Sequence, residues 1–209
     1  MGHLQAFNVQ ETINKFNIKG YIETGTGIGD SLSHALKFPF KKLYSIEFDN
    51  DLYNKATEKF NDPRLKIINN LSKHALPEIF SEINKNDPYL FFLDAHFPEA
   101  DFGTALNRYQ TSLNKYGSDA LPLETELNII DIMRPLHQDV ILIDDVWIYE
   151  KGPFETGNWS ERDKLNIGTM DFVSEIFKST HDIFKIYKQQ GYLILIPKME
   201  KNANKNYKI

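Results

Sequence analysis

Two stretches of this chain, "YLFFLDAH" at residues 89–96 and "DVILIDDV" at 139–146, are apolar runs that end in acids. Neither alternates between apolar and polar positions. A short run of that kind suits a strand buried on both faces, which is the situation inside a parallel sheet covered by helices. The chain before residue 146 repeats the theme. "GYIET", "KLYSIEFD" and "DPRLKIINN" read as strands, and "DSLSHALKF", "NDLYNKATEKF", "HALPEIFSEINK" and "LPLETELNIIDIM" read as helices. Strand and helix in turn predict an α/β domain with a doubly wound, mostly parallel sheet. "DIFKIYKQQGYLILIPK" then reads as a terminal antiparallel hairpin turning near Gly191. An opening helix is expected from Phe7, Val9, Ile13 and Phe16.

Bulk properties narrow the partners. With 209 residues the expectation is one domain over 1–197 and a polar tail over 198–209. A formal net charge of -5 argues against a broad phosphate-binding face, so no nucleic-acid partner is expected. No run approaches the ~20 apolar residues of a membrane span, and "MGHLQAFNVQ" lacks the pattern of a signal peptide. Absence of cysteine removes thiol nucleophiles and thiolate metal sites. We read the chain as cytoplasmic and compatible with a homodimer. Two stretches break the alternation, 97–121 and 147–169. Both follow strand ends, where ligands bind in this architecture, so both are expected to be substrate loops.

"YIETGTGIGDSLSHAL", residues 21–36, is a glycine-rich turn from strand to helix. Dinucleotide folds want G-x-G-x-x-G to seat a pyrophosphate. Here Gly25, Gly27 and Gly29 follow Glu23, and an acid in front suits a cationic group better than a phosphate. Glu47 ends the second strand, 24 residues after Glu23, where an acid can hold ribose hydroxyls, and Phe48 can cover an adenine face.

The pattern E-x-G-x-G-x-G followed by I-E-x-D resembles the class I S-adenosylmethionine-dependent methyltransferases. The resemblance spans nearly the whole chain and implies a Rossmann-like, doubly wound, mostly parallel seven-stranded sheet with a terminal antiparallel hairpin. It further implies that Glu23, Gly25, Thr26, Gly27 and Gly29 line the methionine side, with Asp30 and Ser31 at the helix start. Glu47 would hold the ribose and Phe48 the adenine. Asn70, Leu71 and Ser72 stand where relatives carry Gly-Asp-Ser, a departure beside the adenine.

Asp94, Asp144 and Asp145 at two strand ends suit Mg²⁺, whose ligands are hard oxygens. The trio resembles metal-dependent O-methyltransferases of the catechol and macrocin (sugar) types. His96 stands where the sugar type has a second acid, which implies a general base next to the ligand Asp94. His96 as a ligand would instead permit Fe²⁺ or Mn²⁺. Arg108, Tyr109, Trp147 and Lys151 are the substrate candidates, with Phe97, Phe102, Tyr149, Phe154 and Trp159 as aromatic neighbours. The expectation is an O-methyltransferase acting on a sugar, glycan precursor or related polar small molecule. Its rivals are a metal-independent enzyme with His96 as base and a non-catalytic cofactor-binding module.

Overall fold

The computed structural model describes residues 3–97, 106–156, 165 and 167–198. Helix α1, Val9–Phe16, starts at Asn8, whose side chain accepts from the Glu11 amide, and stops at Asn17 in the left-handed conformation. Strand β1 is Gly20–Thr24 and α2 is Asp30–Ala35. Strand β2, Lys42–Glu47, leads to α3, Asn50–Lys59, capped by the Asp49 carboxylate on the amides of Asp51 and Leu52. Next come β3, Leu65–Asn69, α4, Ser72–Glu82, and β4, Tyr89–Leu93. Helices α5, Leu106–Tyr116, and α6, Leu123–Met133, precede β5, Val140–Ile143. The chain ends on α7, Asp171–Phe177, β6, His181–Ile186, and β7, Tyr192–Pro197.

These strands form one seven-stranded sheet in the order β3-β2-β1-β4-β5-β7-β6. β1 to β5 run parallel, and β7 runs antiparallel to both β5 and β6. Alternate side chains feed two cores, one on each face. Ile22, Phe91, Leu93, Ile141 and Ile143 pack with Leu76 and Ile79 of α4, Leu127 and Ile130 of α6, and Phe177 of α7. Tyr21, Leu90, Phe92, Val140 and Leu142 pack with Val9, Ile13 and Phe16 of α1. That double coverage is why the strands read as unbroken apolar runs.

Register sets the site. Thr24 lies opposite both Ile46 and Leu93, so Gly25, Glu47 and Asp94 leave the sheet at one level. The sheet order reverses between β1 and β4, and a crevice opens there.

The stretch expected to be a substrate loop over 97–121 holds α5 and a 3-10 turn, Gly117–Ala120. It is tied at its ends, since the Phe97 amide donates to the Ala120 carbonyl at 2.7 Å. The second stretch starts in another 3-10 turn, Val146–Ile148, and Trp147, Ile148, Tyr149 and Phe154 are buried in the core. Phe102 and Trp159 lie outside the described residues, as does most of the tail.

Candidate functional site

The chain leaves β1 through Gly25, Gly27 and Gly29, all at positive φ. Gly25 is needed for space as well as for backbone freedom: a Cβ there would lie 2.6 Å from the carbonyl oxygen of Asp94. The amides of Gly25 and Thr26 donate to the Ile46 carbonyl, and the Gly27 amide donates to Glu47 Oε2 at 2.8 Å. The turn is thereby clamped to β2. Gly29 caps α2, and Asp30 and Ser31 begin it.

Glu23 is placed differently from the expectation. It does not line the cavity above the turn but lies beneath it, 1% exposed. Its carboxylate accepts from the Tyr21 hydroxyl at 2.7 Å and the Ser45 hydroxyl at 2.5 Å, and Ser45 in turn meets the Thr26 hydroxyl at 2.6 Å. Burial outweighs those hydrogen bonds and pushes its pKa up to about 8. Here the acid braces the turn from below.

A cavity of about 280 Å³ sits over the crevice. At one end lie Glu47, Phe48, Asn70, Leu71 and Ser72, together with Asp49, Leu52, Lys73 and Asp119. Besides the Gly27 amide, Glu47 accepts from the Asp49 amide through Oε1 at 2.9 Å. The Phe48 amide also favours its ionised form, and since an ionised carboxylate has about four acceptor positions it keeps capacity for a ribose hydroxyl. Burial raises the pKa of Glu47, against the pull of these amides. Phe48 is 37% exposed and meets Tyr116 edge-on at 5.4 Å. These features fit an adenosine-type ligand: a diol acceptor, an exposed ring for a base, and glycines that let the backbone approach.

At the other end Asp94, His96 and Asp145 offer one ligand atom each, all within 4.8 Å of one another. His96 Nε2 lies 2.6 Å from Asp145 Oδ2 and 3.5 Å from Asp94 Oδ1. This corrects the expected trio, because His96 stands in the place given to Asp144. The reason is local backbone geometry. Asp145 is in the left-handed conformation, φ 55°, and the amides of Val146 and Trp147 are held by carbonyls of Gly191 and Gln190 in the turn just before β7. Asp145 therefore faces the large cavity. Asp144 instead accepts from the Asp145 amide at 2.7 Å and does not line the large cavity; it lies behind the cluster, in a small chamber of about 10 Å³ that it shares with Asp94, His96, Glu126 and Tyr149. Glu126 is 1% exposed; burial raises its pKa to about 7, against hydrogen bonds from Ser72 and Thr24. One imidazole and two carboxylates fit a divalent cation of intermediate softness better than the all-oxygen set expected from sequence.

Tyr109 and Trp147 line the cavity near that cluster, their rings 6.5 Å apart. Phe97 packs on Tyr109 at 4.5 Å. Arg108 and Lys151, expected to bind substrate, are exposed and do not line the cavity. Residues missed from sequence are Lys73, Asp119, Gln190 and Glu126. Glu126 had a readable signal, since it shares a helical face with Leu123, Leu127 and Ile130. Asp119 had none.

No protein-family model matches the chain, and no curated protein matches it. Solved structures do. A Staphylococcus aureus protein described as a caffeoyl-CoA O-methyltransferase superposes with TM-score 0.54 at 18% identity, covering 95% of this chain and 85% of that one. An O-methyltransferase from Bacillus cereus in complex with SAH (S-adenosylhomocysteine) gives 0.53 at 14% identity, with coverage of 91% and 79%. An SAH-bound Podospora anserina methyltransferase gives 0.51 at 15%, with coverage of 90% and 76%. At such identities the likeness is one of architecture, and it agrees with the strand order found here. The chain has the Rossmann-like fold of class I methyltransferases.

Proposed function

We propose that this protein is an S-adenosylmethionine-dependent O-methyltransferase, assisted by a divalent cation and acting on a hydroxyl of a sugar or related polar small molecule. The observation that carries the reading is one cavity with two differently equipped ends. One holds Glu47 with its carboxylate fixed by two backbone amides; the other holds Asp94, His96 and Asp145. SAH bound by the Bacillus and Podospora proteins of the same fold supports the choice of cofactor.

When bound, the cofactor supplies a methyl on a positively charged sulfur, and a divalent cation lowers the pKa of a nearby hydroxyl. The protein's own residues bind and orient. Glu47 takes the ribose hydroxyls, and Phe48 covers the base. Asp30 and Ser31, at the start of α2, receive the charged amino-acid end. Asp94, His96 and Asp145 hold the cation, and the imidazole nitrogen favours Mn²⁺ or Fe²⁺ over the Mg²⁺ expected from sequence. Tyr109 and Trp147 offer ring faces to the acceptor. A metal-independent route is the second reading, favoured by the 2.6 Å contact of His96 Nε2 with Asp145, which would orient the imidazole as a base.

The test is calorimetric titration with SAH, with Mn²⁺ added or with excess chelator. Glu47→Ala is expected to weaken SAH binding by at least ~10-fold, as loss of charge-assisted hydrogen bonds requires. Asp145→Asn is expected to abolish the Mn²⁺ heat while Asp144→Asn preserves it. Failure of the wild-type protein to bind SAH under either condition would remove the methyltransferase reading. SAH binding and turnover indifferent to chelator would favour His96 as base.

A further inference from the structure

The cluster end of the cavity is short of positive charge. Lys73 is the one lysine or arginine among the described residues that line the cavity, and Asp119 holds its Nζ on both oxygens at 2.7 Å. Asp94 and Asp145 line the cavity with His96 as their shared basic neighbour. Asp145 is 5% exposed, and its Oδ1 is buried without a hydrogen-bond partner among the described residues. Two carboxylates gathered in a crevice make a field that draws cations. Asp94 also stands close to the glycine turn, since its carbonyl oxygen would lie 2.6 Å from a Cβ at Gly25. The cluster is therefore one layer of atoms from that turn, which is clamped by Glu47 on one side and runs into Asp30 and Ser31 on the other.

We propose that Asp94 and Asp145 serve two cations, the divalent ion and the sulfonium of S-adenosylmethionine, so that the ion weakens the hold on the charged cofactor and spares SAH. Proximity follows from the function proposed above, on which this inference rests. A methyl group passes to a hydroxyl on the ion only when carbon and oxygen lie about 3–3.5 Å apart. Sulfur, one bond behind that carbon, then has its charge beside the same two carboxylates. With the cluster empty, the carboxylates attract the sulfonium. With a divalent ion in place their charge is cancelled, and that attraction is lost. SAH has a neutral sulfur and shares every group except the methyl, so the ratio of the two affinities isolates the charge. Linkage makes the coupling reciprocal: S-adenosylmethionine weakens the ion by the same factor. Ion occupancy then sets how strongly the spent cofactor competes with the fresh one.

The experiment measures calorimetric affinities of the wild-type protein for S-adenosylmethionine and SAH, without acceptor, in Mn²⁺ and in excess chelator. Mn²⁺ is expected to lower the ratio of S-adenosylmethionine to SAH affinity by at least ~5-fold, the lower end of ordinary coupling between sites. Protein filled with S-adenosylmethionine is expected to bind Mn²⁺ more weakly than protein filled with SAH, by that same factor. Asp145→Asn removes one charge at nearly constant shape. In chelator its ratio is expected to fall below that of the wild type, and Mn²⁺ is expected not to move it. Each ratio is taken within one variant, so a partly unfolded sample changes both affinities alike. A wild-type ratio that Mn²⁺ leaves unchanged or raises would overturn the inference. So would an Asp145→Asn ratio equal to the wild-type one in chelator. If both cofactor forms bind but Mn²⁺ does not, the divalent-ion reading falls and takes this coupling with it. If neither form binds, the methyltransferase reading itself falls.

Discussion

Glu23 is a carboxyl with no access to water, placed between Tyr21, Ser45 and, through Ser45, Thr26. Its pKa of about 8 in the folded chain, against 4.5 for the free group, makes stability depend on pH. The neutral form is preferred inside, so this group's contribution is fully present below about pH 4.5. It is lost as pH rises through about 8. Each tenfold change in proton affinity is about 1.4 kcal/mol, so the penalty at alkaline pH is on the order of a few kcal/mol. Glu23→Gln should then melt close to the wild-type protein at pH 5 and clearly above it at pH 9. Parallel melting curves across that range would show that the buried carboxyl is ionised at no cost. The same residue illustrates a limit of reading by position: an acid before a glycine turn is visible in sequence, but its direction is not. Both faces of β1 are packed, so a side chain within the strand enters the interior, and only a residue beyond its end, such as Gly25, reaches the cavity.

At the scale of elements, the strand-turn-helix unit of β1 and α2 depends on two glycines for different reasons. Gly25 and Gly29 both have φ of 79°, which costs any residue with a Cβ about 1–2 kcal/mol. At Gly25 the added carbon would also meet main chain, the Asp94 carbonyl, which is fixed in the sheet. At Gly29 it would meet the Phe60 ring at 2.5 Å, a side chain that can turn aside. Gly25→Ala should therefore lower the urea midpoint by more than Gly29→Ala, and it should also displace Asp94. Equal midpoints would mean that backbone conformation alone matters. The glycine unit was legible because its spacing is local. Helix α5 was not, because "LNRYQTSLNKY" is polar, and its apolar stripe of Tyr109 and Leu113 acquires meaning only when packed on the Phe97 and Trp147 side of the core.

Across the whole molecule the sheet has two poles with different duties. The carboxyl ends of β1, β2, β4 and β5 bear the cavity. At the amino ends of β4 and β5, Arg134 and Asp139 form a bidentate ion pair, each side chain 3% exposed. Asp139 also accepts from the Tyr89 amide, and the Arg134 guanidinium lies over the Tyr89 ring at 5.3 Å. Removing one partner of a buried pair strands the other charge, at about 3–5 kcal/mol. Arg134→Ala should thus shift the urea midpoint strongly while leaving SAH affinity unchanged in the protein that stays folded. A variant of unaltered stability, or one folded but unable to bind SAH, would contradict this division.

Architecture and the level of the crevice are written locally in the chain: apolar runs long enough for strands, helices between them, and glycines or acids where strands end. Those are local patterns, repeated every two or three to four residues, and they survive without knowledge of neighbours. Tertiary structure decided which groups meet. Asp145 faces the cavity and Asp144 does not, because carbonyls just before β7, more than 40 residues on, hold the turn that follows Asp145 in place. His96 joins the cluster because β4 and β5 are adjacent in the sheet. Asp119 reaches the end of the cavity where Glu47 lies, held there by Lys73, 46 residues earlier. Long-range contact selects among acids that sequence can only enumerate.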